Sequence, residues 1–70
     1  MPAARYEIRI TGTLPAEALL DFDELAVETA RAETVLRGPL RDQAALHGLL
    51  ARLEVFGAQV VLVRRLGSAR

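Results

Sequence analysis

The chain contains no cysteine, lysine, asparagine or tryptophan. Without cysteine there is no disulfide and no thiolate metal site. The single histidine, His47, cannot build a multi-histidine zinc site alone. Without lysine no GxxxxGK phosphate loop can be completed, so Gly12-Thr13 and Gly38-Pro39 read as isolated turn glycines and nucleotide binding is not expected. Aromatics are limited to Tyr6, Phe22 and Phe56, which leaves leucine, alanine, valine and isoleucine to form a core. Neither sign of charge is in excess: nine basic and nine acidic residues give a net charge of zero. No long-range field then draws the chain to nucleic acid or to anionic lipid. The apolar run Val60–Val63 is far short of the ~20 residues that cross a membrane. The start, Met1 to Glu7, has no apolar signal region, so a cytoplasmic protein is expected.

What is present fits a single small domain. Seventy residues bury only about 60% of the surface of the unfolded chain, which leaves stability marginal without further help. With disulfides and a metal excluded on composition, oligomerisation is the aid left open. All the basic residues are arginine, and with twelve alanines this matches the codon bias of a high-GC genome.

Taken in order, residues 1–4 read as a frayed lead-in. Arg5 to Thr11 alternates strictly, with Tyr6, Ile8 and Ile10 on one side and Arg5, Glu7, Arg9 and Thr11 on the other, as a half-buried strand does. Pro15 to Phe22 is a short helix, with Thr13 as a candidate cap and Leu14, Leu19, Leu20 and Phe22 as its contacts. Leu25–Ala30 and Thr34–Gly38 suggest an antiparallel hairpin turning near Arg31-Ala32-Glu33. That turn lacks the usual Gly, Asn or Pro. The rival is one helix from about Asp21 to Arg37, favoured by Ala, Glu, Leu and Arg but opposed by Val27, Thr29, Thr34 and Val35. Gly38-Pro39 then breaks the extended run. Asp42 suits the start of a helix whose Leu46, Leu49, Leu50, Leu53 and Phe56 form one stripe, and Gly57 stops it. Gln59 to Leu66 is the last strand, and residues 67–70 are a frayed tail.

The order is βαββαβ. It predicts an α+β, ferredoxin-like fold: a four-stranded antiparallel sheet, strand order 4-1-3-2, with two helices on one face, the first of them short. Arg5, Glu7, Arg9, Val35 and Arg37 then lie on the open face, where Glu7, Arg37 and Glu28 can alternate in sign across strands. By alternation Val61, Val63 and Arg65 of the last strand join them. That strand is apolar on both faces at Val60–Val63, a liability at a sheet edge unless something covers it.

The segment Leu36 to Gly57, built on Gly-Pro-Leu-Arg-Asp-Gln-Ala-Ala-Leu-His-Gly-Leu-Leu, and the Val-Val-Leu-Val-Arg-Arg that follows resemble small uncharacterised proteins of high-GC actinobacteria. That resemblance implies a family and no activity. A looser likeness is to ACT-type regulatory domains, which share the βαββαβ order and bind amino acids at subunit interfaces. It rests on Asp42 after Gly38-Pro39-Leu40, and it implies a ligand near that turn.

His47, with Glu54 as a possible partner, reads as a surface histidine beside the leucine stripe, because no nucleophile accompanies it. Ser68 is the only serine. Asp21, Asp23 and Glu24 read as a solvated acidic cluster rather than a calcium loop, which needs alternating acids about a central glycine. Arg64, Arg65, Arg5 and Arg9 could meet RNA phosphates only beside exposed stacking aromatics, and Tyr6 has core parity.

The expectation is therefore a non-enzymatic interaction module without a cofactor. It would associate with itself or with another protein through Arg5, Glu7, Arg9, Val35, Arg37, Val61, Val63 and Arg65, and not with nucleic acid or a membrane. A small-molecule-binding, ACT-like regulatory domain is the alternative. An enzyme of the kind of ferredoxin-like monooxygenases is a more distant third.

Overall fold

The computed structural model describes residues 3–68. Strand β1 spans Ala4–Thr11, helix α1 Ala16–Leu19 with a 3-10 turn at Leu20–Phe22, β2 Ala26–Ala30, β3 Glu33–Leu40, α2 Gln43–Val55 and β4 Gln59–Ser68. The class is α+β. The four strands form one sheet in the order β2-β3-β1-β4, and every pairing is antiparallel.

Alternation builds β1 as expected. Tyr6, Ile8 and Ile10 join Leu36 of β3 and Leu46, Leu49 and Leu53 of α2 in one buried cluster. Phe22 from the 3-10 turn belongs to the same cluster. It is fixed from two sides, by an edge-on Phe56 ring at 6.5 Å and by the Arg52 guanidinium 5.3 Å above its centre. The short helix buries Ala18 and Phe22, four residues apart, whereas Leu19 and Leu20 face solvent. Two turns can turn only one narrow stripe inward, and Ala18 occupies it. Thr13 is not the cap: Pro15 holds that position, its carbonyl accepting from the Ala18 N–H at 3.0 Å.

Residues 24–37 are a hairpin, not a helix. Ala30 pairs with Glu33, so the loop is the two residues Arg31 and Ala32, both with positive φ (50° and 64°). Two successive left-handed residues are the requirement of a type I′ turn, whose twist matches that of the strands it joins. Here a non-glycine pair meets that requirement, which is why the turn carries no glycine signal. The turn is tied to the end of β1: the Gly12 N–H donates to the Ala32 carbonyl, and Thr34 Oγ1 donates to the Gly12 carbonyl at 2.7 Å.

Gly38-Pro39 does not end β3, which runs through both to Leu40. β2 stops at Ala26, opposite Arg37, so beyond that point β3 has a neighbour only on the β1 side. A locally single-sided strand can accept a proline. The glycine serves a close approach instead: a Cβ on Gly38 would lie 2.6 Å from Leu25 Cδ2 and 3.2 Å from the Glu24 carbonyl oxygen.

Helix α2 begins and ends as its sequence indicates. Asp42 caps it, its carboxylate accepting from the Ala45 N–H at 2.8 Å. At the other end Gly57 (φ 80°) donates to the Glu54 carbonyl and Ala58 to the Leu53 carbonyl, the paired bonds of a Schellman stop. Leu46, Leu49 and Leu53 are buried; Leu50 is partly so, and Phe56 lies at the rim. The chain ends are more ordered than a frayed lead-in and tail: Ala4 pairs with Leu40 and Ser68, and Arg5 with Gly67. The remainder of that expectation falls on residues 1, 2, 69 and 70, outside the described residues.

Candidate functional site

The outer face of the sheet, away from α2, is organised by one carboxylate. Glu7 stands at the middle of β1, directly opposite Arg37 on β3 and Arg64 on β4. Its Oε1 accepts from Arg37 Nε at 2.9 Å; its Oε2 accepts from Arg9 Nε at 3.1 Å and from an Arg64 terminal nitrogen at 3.2 Å. Arg37 also donates to Glu28 at 3.3 Å, and Arg9 lies 3.7 Å from Glu33. The pairs Glu28–Arg37–Glu7–Arg64 thus cross all four strands with alternating sign. Beneath its arginines Glu7 is only 2% exposed. The Arg37 and Arg9 hydrogen bonds hold its carboxyl down at about 2, against a smaller upward push from desolvation. Reciprocally, the bonds to Glu7 and Glu28 raise the Arg37 pKa.

The expected surface residues divide between two faces. Arg5, Glu7, Arg9, Val35 and Arg37 share the outer face, as the β1–β3 register requires, but Val35 is no exposed contact residue there: it is 3% exposed, covered like Glu7 by its long neighbours. On β4 the alternation fails. Ile10 pairs with Val60 but Arg9 pairs with Leu62, so Val61 is an extra, bulged residue. From there the parity reverses: Val63 stands opposite Ile8 and Arg65 opposite Tyr6, on the helix side, while Leu62 and Arg64 take the outer face. A second slip between Arg5 and Tyr6 leaves Leu66 without a partner. Leu62 and Arg64 were missed because Val60–Val63 is apolar at both parities and the two arginines are adjacent. Such a strand offers no polar residue to mark which side is out.

β4 is also poorly covered. Val61, Leu62, Val63 and Leu66 are 48%, 38%, 41% and 42% exposed. Val63 keeps that exposure although it lies on the helix side, so the helical layer stops short of this edge. Apolar surface is therefore open on both flanks of one edge strand. The opposite edge, β2, is half as long and carries Glu28 and Thr29 among its exposed residues.

A groove of about 440 Å³ lies elsewhere, between the 3-10 turn and α2. The turn side contributes Asp21, Asp23 and Glu24; Arg41 comes from the connection after β3 and Arg52 from α2; Phe22, Leu25, Leu40 and Leu49 line it as well. Gly48 lines it with open space before it: a Cβ there would meet nothing within 4 Å. His47 is exposed on α2. Among the described residues no three histidine, aspartate or glutamate side chains gather where a metal could be held, and no helix is long and apolar enough to cross a membrane.

Residues 5–64 match the model of a family described as a domain of unknown function, DUF8691. The chain belongs to that family. The matched span holds the hub at Glu7 and its arginines Arg9, Arg37 and Arg64. No curated protein and no solved structure matches the chain.

Proposed function

We propose that this family member is a non-enzymatic interaction module with a ferredoxin-like βαββαβ fold, and that it self-associates through β4. The fold reading is supported by the strand order, which is 4-1-3-2 when read from the β4 edge. It is supported too by the sharing of one core between the 3-10 turn and α2. The observation that carries the function is the exposure of Val61, Leu62, Val63 and Leu66 along one open edge. A chain this small gains little from apolar surface left in water, and an exposed apolar edge strand is a place where another strand can add. A cytoplasmic setting fits an interaction module without disulfides. Light scattering after size exclusion, across a concentration series, tests the proposal. A mass rising above the 7.6 kDa monomer is expected; a monomer at every concentration sinks it.

The groove favours a second reading, a regulatory domain of ACT-like kind. It brings acids and arginines together beside Pro39, Leu40 and Arg41, a pairing suited to a zwitterion such as an amino acid. A thermal-shift screen against amino acids tests this. No shift with any of them counts against it.

A further inference from the structure

Resting on the self-association reading, we infer that the partner of β4 is the β4 of a second copy, antiparallel about a two-fold axis at Leu62, so that two sheets join into one of eight strands. Leu62 opens to the outer face and Val63 to the helix side of the same strand, both about two-fifths exposed. A partner lying on the outer face would cover only the first. A strand added at the edge covers both and also satisfies the free backbone groups.

Charge selects the copy's orientation. β4 carries Arg64 and Arg65 and no acidic residue. A parallel pairing in register would set each arginine against itself. Antiparallel pairing centred on Leu62 places the two Arg64 residues on opposite sides of the axis, each two residues from it. It separates the two Arg64 backbones by four residues, ~14 Å at ~3.4 Å per residue. That exceeds the ~8–10 Å over which exposed charges are felt at ordinary salt. The competing arrangement joins β4 to the β2 edge of the next molecule, where Glu28 would extend the alternating ion pairs beyond Arg64. It is also antiparallel, but β2 offers five residues to the ten of β4 and leaves half of the apolar edge bare. As a head-to-tail contact it closes only when its rotation does, whereas the two-fold contact closes by symmetry. Size is adequate: a standard partner patch of ~800 Å² is roughly a sixth of the 4662 Å² of accessible surface, within reach of a ten-residue edge and its flanks.

The absence of cysteine from the chain permits a clean test. Residues directly opposite in an antiparallel pair have Cα atoms ~4.5–5.5 Å apart, inside the range a disulfide spans. Under mild oxidation of the full chain, Leu62→Cys is expected to give a covalent dimer, and Gln59→Cys, six residues from its own copy across the axis, is expected to give none. Circular dichroism confirms that each variant is folded. A wild-type chain that associates while Leu62→Cys fails to cross-link, or that grows past the dimer mass, overturns the two-fold pairing and leaves self-association standing. Equal cross-linking at both positions overturns it as well. A wild-type chain that stays monomeric throughout overturns both.

Discussion

Arg37 and Glu7 face one another directly in the β3–β1 register, and the guanidinium Nε donates to the carboxylate at 2.9 Å. Arg9 and Arg64 close on the same carboxylate. Three arginines therefore stabilise the charged form of one glutamate, holding its pKa at about 2 against an ordinary 4.5. A carboxyl whose pKa is depressed by folding contributes stability that is complete above the unfolded value and is lost as pH falls through the folded one. Stability is expected to decline as pH drops from 4.5 toward 2. Denaturant midpoints of the wild type and Glu7→Gln across that window check this. The variant should lose most of the slope, and equal slopes would show that Glu7 is not its source.

The Arg31–Ala32 turn holds two L-residues in the left-handed region. Each costs about 1–2 kcal/mol relative to the right-handed form, and glycine is free of that cost. Ala32→Gly is expected to stabilise the chain by ~0.5–1 kcal/mol, because part of the relief is returned as unfolded-state entropy. Urea denaturation measures it; destabilisation would mean that the turn is not of the I′ form.

Gly38 should tolerate no side chain. A methyl group there would press on Leu25, which can move, and on the Glu24 backbone, which is less free to do so. Gly38→Ala is expected to cost about 1–3 kcal/mol, the range for overpacking. Gly48→Ala serves as the contrast: it lies in a helix interior with open space before it, and alanine there is expected to add ~0.5–1 kcal/mol. Opposite signs in the same assay support the two assignments.

Leu62→Glu should separate association from folding. The residue lies on the open edge strand and is 38% exposed, and circular dichroism checks that the variant stays folded. The mass by light scattering should fall to that of the monomer. A variant that associates as the wild type does would place the contact elsewhere.

The Asp42 cap is a local bond with a local cost. Asp42→Ala removes the acceptor for the Ala45 N–H and should destabilise by ~1 kcal/mol. Asp42→Asn or Asp42→Ser should restore most of it.

What was legible in the sequence follows from how each element is specified. β1 and α2 declare themselves because their buried apolar residues recur at strand and helix spacing, and because Asp42 and Gly57 mark the helix ends. The hairpin was legible through its β-branched residues, yet its turn was not, since Arg31 and Ala32 adopt by tertiary constraint what glycine would announce. Pro39 suggested a break because sequence does not reveal that β2 is too short to flank it. The outer-face hub at Glu7 was half visible: its place followed from alternation, but Arg64 did not. A bulge moves a residue to the opposite face without changing a letter, and the apolar run at Val60–Val63 gives nothing to detect it by.

The double stop at the end of α2 has a mechanical consequence for the strand that follows. Ala58 is bonded back to Leu53 and Gly57 to Glu54, so β4 leaves the helix from a clamped origin. Its far end, at Gly67 and Ser68, is held only by pairing with Arg5 and Ala4 at the start of β1. β4 is a strip fastened at one end, and it peels from the Ser68 end first.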